Sequence, residues 1–226
     1  MNHPSQVETP RVGIFGGTFN PIHVGHLRVA EEIAEHFALA ELRFVPCAEP
    51  PHKPPGADPL APAAERLRWI ELAIADNPRF RADPSELARG GISYSVETLR
   101  AVASELTPEL PLFVIGSDAF RELDTWKAPE EVLALAHFAV LVRPSSPCTS
   151  LMDCMPTNLS TGFELEPDGR SARHRSTGNW LCLVNVTALA VSASDIRARL
   201  RARLSLRYLL PESVRAAVLA SGCYGK

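Results

Sequence analysis

Residues 11–46 carry the tightest constraint on the fold. RVGIF, at 11–15, is a short apolar and partly β-branched run that stops at Gly16-Gly17. That is the pattern of a buried strand, since a helix needs a longer periodic stretch. From Gly25 onward Leu27, Ala30, Ile33, Ala34 and Phe37 recur at helical spacing, while Arg28, Glu31, Glu32 and Glu35 occupy the other face. An amphipathic helix is expected there. LRFVP, at 42–46, is a second apolar run. Strand, helix and strand in this order make a βαβ unit with parallel strands and a right-handed crossover.

The alternation continues with a helix over 63–76, a strand around Phe80, a helix over 95–106 and strands at 112–116 and 137–142. Continuous apolar strands alternating with helices are buried on both faces, so the expected fold class is α/β, a doubly wound parallel sheet. A further strand at 181–186 and helices over 194–203 and 211–220 give a small C-terminal helical part within 187–226. Two stretches interrupt this order. Residues 47–62 are crowded with prolines, which neither a helix nor a central strand accommodates, and are expected as an exposed loop at the ligand edge of the sheet. Residues 143–179 are rich in Ser, Thr, Pro and Gly and nearly without periodicity, so 145–179 is expected as a surface loop excursion. The whole of 11–226 then reads as one domain behind a leader at 1–10.

The charge balance, 23 Lys+Arg against 26 Asp+Glu for a net −3, lacks the basic excess that proteins use to neutralise nucleic-acid phosphates. Any polyanionic partner is therefore expected to be small, with no nucleic acid. No apolar run approaches the roughly 18 residues that cross a bilayer, so no membrane partner is expected. MNHPSQVETP lacks the apolar core of a secretory signal. The cysteines, Cys47, Cys148, Cys154, Cys182 and Cys223, are odd in number and show no C-x-x-C or other zinc pattern. Reduced thiols and a cytoplasmic location follow as the expectation. The oligomeric state stays open, a homo-oligomer included.

Chemistry concentrates in GIFGGTFNPIHVGHL, at 13–27. A strand joined to a helix through glycines presents backbone N–H groups and the helix dipole to an anion. It is neither G-x-G-x-x-G nor a P-loop, because the hinge carries His23 and His26 where a lysine would stand. Either imidazole can donate to a phosphate oxygen whose charge grows during transfer, and Gly25 between them leaves room for a nucleotide. In VSASDIRARL, at 191–200, Ser192 or Ser194 can cap a helix, and Arg197 lies one turn in with a fork suited to phosphate.

GGTFNPIHVGHL resembles the H-x-G-H signature of the nucleotidylyltransferase superfamily, and VSASDIRARL resembles its second signature, I-S-S-T-x-I-R. Ala193 stands where serine is common and Ser194 where threonine is common. PHK at 51–53, ISYSVETL at 92–99, GSDAFRELDTW at 116–126 and LLPESVRAAV at 209–218 extend the resemblance to bacterial nicotinate-nucleotide adenylyltransferases along nearly the whole chain. The resemblance implies a Rossmann-like nucleotidylyltransferase fold. It further implies transfer of the adenylyl group of ATP to nicotinate mononucleotide by direct in-line displacement, a step in making NAD, with Mg²⁺ arriving on the ATP and no metal ligand in the chain. Carried onto this sequence, it makes His23, His26, Lys53 and Arg197 catalytic. Gly16, Gly17, Thr18, Phe19, Gly25, Asp118, Ser192 and Ser194 join the two histidines and Arg197 in holding ATP. Lys53, Tyr94, Ser95, Thr98 and Trp126 hold nicotinate mononucleotide, with Trp126 stacked on the pyridine and backbone amides reading its carboxylate. Alternatives are a sibling transferase acting on nicotinamide mononucleotide or phosphopantetheine, and a non-catalytic nucleotide sensor. A nicotinamide-dependent oxidoreductase is disfavoured, because the glycine fingerprint and the ribose-binding acid are missing.

Overall fold

The computed structural model describes residues 10–51, 60–143 and 148–224. It opens with the expected unit: β1 (Val12–Gly17), α1 (Val24–His36) and β2 (Glu41–Pro46), the strands paired in parallel from Val12↔Glu41 to Gly17↔Pro46. There follow α2 (Ala63–Ile74), β3 (Phe80–Ala82), α3 (Ser85–Arg89), α4 (Ser95–Leu106), β4 (Leu112–Gly116), α5 (Ser117–Arg121), α6 (Pro129–Ala134) and β5 (His137–Val142). The chain ends through α7 (Thr157–Ser160), β6 (Phe163–Leu165), β7 (Ser171–His174), β8 (Trp180–Asn185), α8 (Ala193–Arg201) and α9 (Glu212–Ser221). Among the described residues no helix is long and apolar enough to cross a membrane.

The strands form one sheet in the order β3-β2-β1-β4-β5-β8-β7-β6. From β3 to β8 every pairing is parallel. The chain builds outward one way from β1 through β2 and β3, then returns to lay β4 on the other side of β1. Such a reversal opens a crevice at the carboxyl ends of the two central strands, where ligands bind in sheets of this kind. In this chain those ends are Gly16-Gly17 on β1 and Gly116 on β4.

Successive strand residues serve opposite faces, as their period of two requires. On β5, Phe138, Val140 and Val142 pack into one core with Ile14, Leu99 and Phe120. Ala139 and Leu141 pack into the other, with Ile33, Phe44, Trp69 and Ile70. Both faces are thus covered, which is why the strands read as unbroken apolar runs rather than as alternation.

The 145–179 stretch corrects the expectation of a loop excursion. Among its described residues β7 pairs antiparallel with β8, and β6 pairs antiparallel with β7. Leu151, Cys154, Leu159, Phe163 and Ala172 are buried in the second core. These strands are only three and four residues long, too short for an alternation to register in the sequence. The turn between them did carry a signal in Asp168-Gly169. The Asp168 carboxylate accepts from the Arg170 and Ser171 N–H groups, and Gly169 takes the left-handed conformation with φ 65°.

His137 opens β5 with its ring stacked on Trp180 at 4.7 Å, and its Nδ1 accepts from the Trp180 N–H at 3.2 Å. Burial first, and the Arg173 charge second, lower its pKa to about 4. The unfolded imidazole titrates near 6.5, so between these values the unfolded chain binds the extra proton. Stability is intact above pH 6.5 and is lost as the pH falls toward 4, by at most about 3 kcal/mol for this one group. His137→Gln should therefore flatten the decline of the urea midpoint between pH 7 and 4.5. An identical decline in both proteins would refute the assignment.

Candidate functional site

The turn between β1 and α1 brings the first motif to the crevice. Phe19 sits in the left-handed region with φ 46°. A bulky residue adopts that backbone only where its surroundings enforce it. Here its buried ring is held edge-on to Phe15 at 5.8 Å and to His26 at 5.2 Å, with Phe44 at 5.8 Å. His23 caps α1 from an extended conformation, and its ring stacks on that of His26 with centroids 3.7 Å apart. The His23 N–H donates to Nδ1 of His26 at 3.2 Å. An accepting Nδ1 places the proton of the neutral ring on Nε2, which makes Nε2–H the donor that His26 can offer.

Both imidazoles are neutral in the free protein at neutral pH. Burial, then the Arg143 charge, lowers the His23 pKa to about 4. Burial, then His23 and Arg143, holds His26 well below its ordinary value. A bound polyanion acts in the opposite sense, because a nearby negative charge favours the protonated form. Among the described residues the buried Nδ1 of His23 has no hydrogen-bond partner, a cost that a ligand oxygen or water would remove.

The second motif is fastened to the first. Ser192 caps α8, its Oγ accepting from the Asp195 N–H at 3.0 Å. Arg197, 9 % exposed, donates through Nη1 to the Asn20 carbonyl at 2.7 Å and through Nη2 to Ser194 Oγ at 3.1 Å. At Gly25 an added Cβ would lie 3.1 Å from the His23 ring and 3.7 Å from the Val191 carbonyl, so glycine lets α1 begin against both.

Two cavities result. One, of about 520 Å³, is lined by Gly16, Gly17, Thr18, Phe19, His23, Gly25, His26, Ser192, Ser194 and Arg197, together with Arg143. The other, of about 700 Å³, is lined by Tyr94, Ser95 and Trp126 with Glu86, Ser93 and Lys127. Phe15, Gly16, Gly17, Thr18, Pro50 and Gly116 line both, so the cavities meet over the ends of β1 and β4. Gly16 and Gly116 have open space where a Cβ would stand.

Two expected site residues stand outside the cavity walls, and a third is not described. Thr98 is buried on the core side of α4, its hydroxyl donating to Glu86 and accepting from Arg89, so it backs the second cavity without lining it. Asp118 is exposed on the first turn of α5 and lines neither cavity. Lys53 lies outside the described residues. Sequence reasoning in turn missed Arg143, Glu86 and Lys127. Arg143 directly follows β5, and a cation at the carboxyl end of a parallel strand was a readable sign. Glu86 lies in a five-residue helix without a motif, and burial raises its pKa. The Lys127 ammonium sits 4.3 Å over the Tyr94 ring and 2.7 Å from Glu97.

The cytidylyltransferase-like family model matches residues 14–199. A Citrifermentans bemidjiense protein named "Probable nicotinate-nucleotide adenylyltransferase" is 38% identical over 204 residues, covering 90% of this chain and 93% of its own. A Pseudomonas aeruginosa PAO1 protein of the same name is 43% identical over 208 residues, covering 90% and 92%. Among solved structures, "Plasmodium falciparum nicotinic acid mononucleotide adenylyltransferase complexed with NaAD" superposes with a TM-score of 0.70 at 15% identity, over 95% of this chain and 97% of that one. That likeness establishes the shared fold.

Proposed function

The chain belongs to the nicotinate-nucleotide adenylyltransferases within the cytidylyltransferase-like family, and on that premise we propose that it transfers the adenylyl group of ATP to nicotinate mononucleotide, giving nicotinate adenine dinucleotide and pyrophosphate. The observation that carries this reading is the meeting of the two cavities over Gly16, Gly17, Thr18 and Gly116. One is furnished for phosphates by His23, His26, Arg143 and Arg197, and the other for a flat ring by Tyr94 and Trp126. Two substrates that react phosphate to phosphate need that arrangement.

The acceptor phosphate is already an anionic nucleophile at neutral pH, so no general base is required. Its oxygen forms a bond to the α-phosphorus of ATP as the bond from that phosphorus to the α,β-bridging oxygen breaks, and pyrophosphate leaves with the electron pair. The protein's part is alignment and charge neutralisation. The His26 Nε2–H and the Arg197 fork meet the growing negative charge, and Trp126 stacks on the pyridine. Among the described residues no carboxylate lines the nucleotide cavity, so the donor set does not suit a resident Mg²⁺. Mg²⁺ belongs to the substrate, held by ATP phosphates and water. A cytoplasmic location suits a reaction that consumes ATP.

Purified protein given MgATP with either nicotinate mononucleotide or its amide should release pyrophosphate and dinucleotide, with kcat/KM for the acid higher by about tenfold or more. Equal use of both acceptors would move the chain to a sibling specificity. ATP binding without product from either would make it a nucleotide sensor.

A further inference from the structure

Arg66 stands on α2 outside both cavities, 1 % exposed and among the largest fully buried side chains. Buried arginines are normally balanced by a carboxylate. This guanidinium instead donates to four backbone carbonyls: Nε to Ala61 at 3.0 Å, Nη1 to Thr18 at 2.9 Å and Cys47 at 2.7 Å, and Nη2 to Ala48 at 3.2 Å. The carbonyls come from three separate segments: the turn after β1, the turn after β2, and the far end of the proline-rich stretch. Thr18 lines both cavities and Cys47 lines the second. Asn20 reinforces the same junction, its Oδ1 accepting from the Ala61 N–H at 3.0 Å.

We propose that Arg66 is a positioning residue that sets the polarity of the anion site, drawing backbone carbonyl oxygens inward onto one buried cation and so away from the phosphates. The inference rests on reading the first cavity as a polyphosphate site. A carbonyl oxygen facing a polyanion repels it, whereas an amide N–H attracts it. In a planar trans peptide the C=O and the following N–H point to opposite sides. Turning the Thr18 carbonyl onto Arg66 therefore sets the Phe19 N–H on the side away from the guanidinium. With all its partners among the described residues neutral, the guanidinium also leaves its positive charge beneath the cavity floor. A core arginine whose only task was packing would be balanced by an acid or replaced by an apolar side chain at no loss.

The test is a ligand ladder of adenosine, AMP, ADP and ATP, bound at equilibrium to wild type, Arg66→Lys and Arg66→Gln well below their melting temperatures. The proposal expects the loss to grow with phosphate number, reaching about tenfold for ATP in Arg66→Lys and more in Arg66→Gln, with adenosine changed by less than about twofold. An equal loss for adenosine and ATP marks a structural role and overturns the proposal, as does no loss at all. Should neither variant fold, the ¹⁵N–¹H resonance of Phe19 in the wild type decides. It should shift on titration with inorganic tripolyphosphate and hold still with adenosine, and an unmoved resonance overturns the proposal. Wild-type protein that makes no dinucleotide yet shows the phosphate-graded loss in Arg66→Lys would sink the proposed reaction and leave the role of Arg66 standing.

Discussion

His26→Ala lowers turnover by roughly two to four orders of magnitude while the protein stays folded, because the lost group donates to charge that exists only in the transition state. The Nδ1 of His26 is already engaged by the His23 N–H, which fixes the ring and its tautomer before substrate arrives. The substitution removes both the donor and the face on which His23 stacks at 3.7 Å. Folding should survive, since the buried anchors of α1 are Ala30, Ile33 and Ala34 and none of them touches the chemistry. The loss should fall mainly on kcat, read as pyrophosphate release under saturating MgATP and acceptor, with far-UV circular dichroism as the control. Near-normal turnover in a folded variant would remove His26 from the mechanism.

Much of the fold was legible because its signals are local and periodic. The run at 11–15, the glycines at 16 and 17 and the amphipathic stretch from 25 correspond to β1, its end and α1. The predicted helix over 95–106 matches α4 residue for residue. The edge hairpin was hidden because three- and four-residue strands carry no usable period. The cavity walls departed from the expected residues where the question was which way a side chain faces. Thr98 shares the buried face of α4 with Val96, Leu99 and Val102, so helical periodicity alone argued against a place in the cavity wall. Arg66 offered the converse signal. It occupies the apolar face of α2 with Trp69 and Ile70, and a charged residue at such a position must be satisfied by something buried. Its partners, carbonyls from three distant segments, could not be found without the fold.

Arg197→Ala should reduce kcat/KM for ATP by about 10²- to 10³-fold, largely through a higher KM for ATP. Two losses combine. The fork that can meet phosphate oxygens disappears, and so does the tie from α8 to the Asn20 carbonyl at 2.7 Å that holds the second motif against the first. Leaving that buried carbonyl without its charged donor should cost about 1–3 kcal/mol of stability, seen as a lower Tm. Ala193 supplies no hydroxyl, so Ser192 and Ser194 carry the hydroxyls at the start of α8, and Ser192 is occupied in capping it. That concentrates phosphate recognition in this motif on Arg197. Arg197→Lys keeps the charge but cannot serve Asn20, Ser194 and a phosphate together, so it should recover stability more fully than ATP affinity. A lowered Tm with an unchanged KM for ATP in both variants would make Arg197 a structural tie alone. The opposite split, a raised KM at full stability, would assign it wholly to the nucleotide.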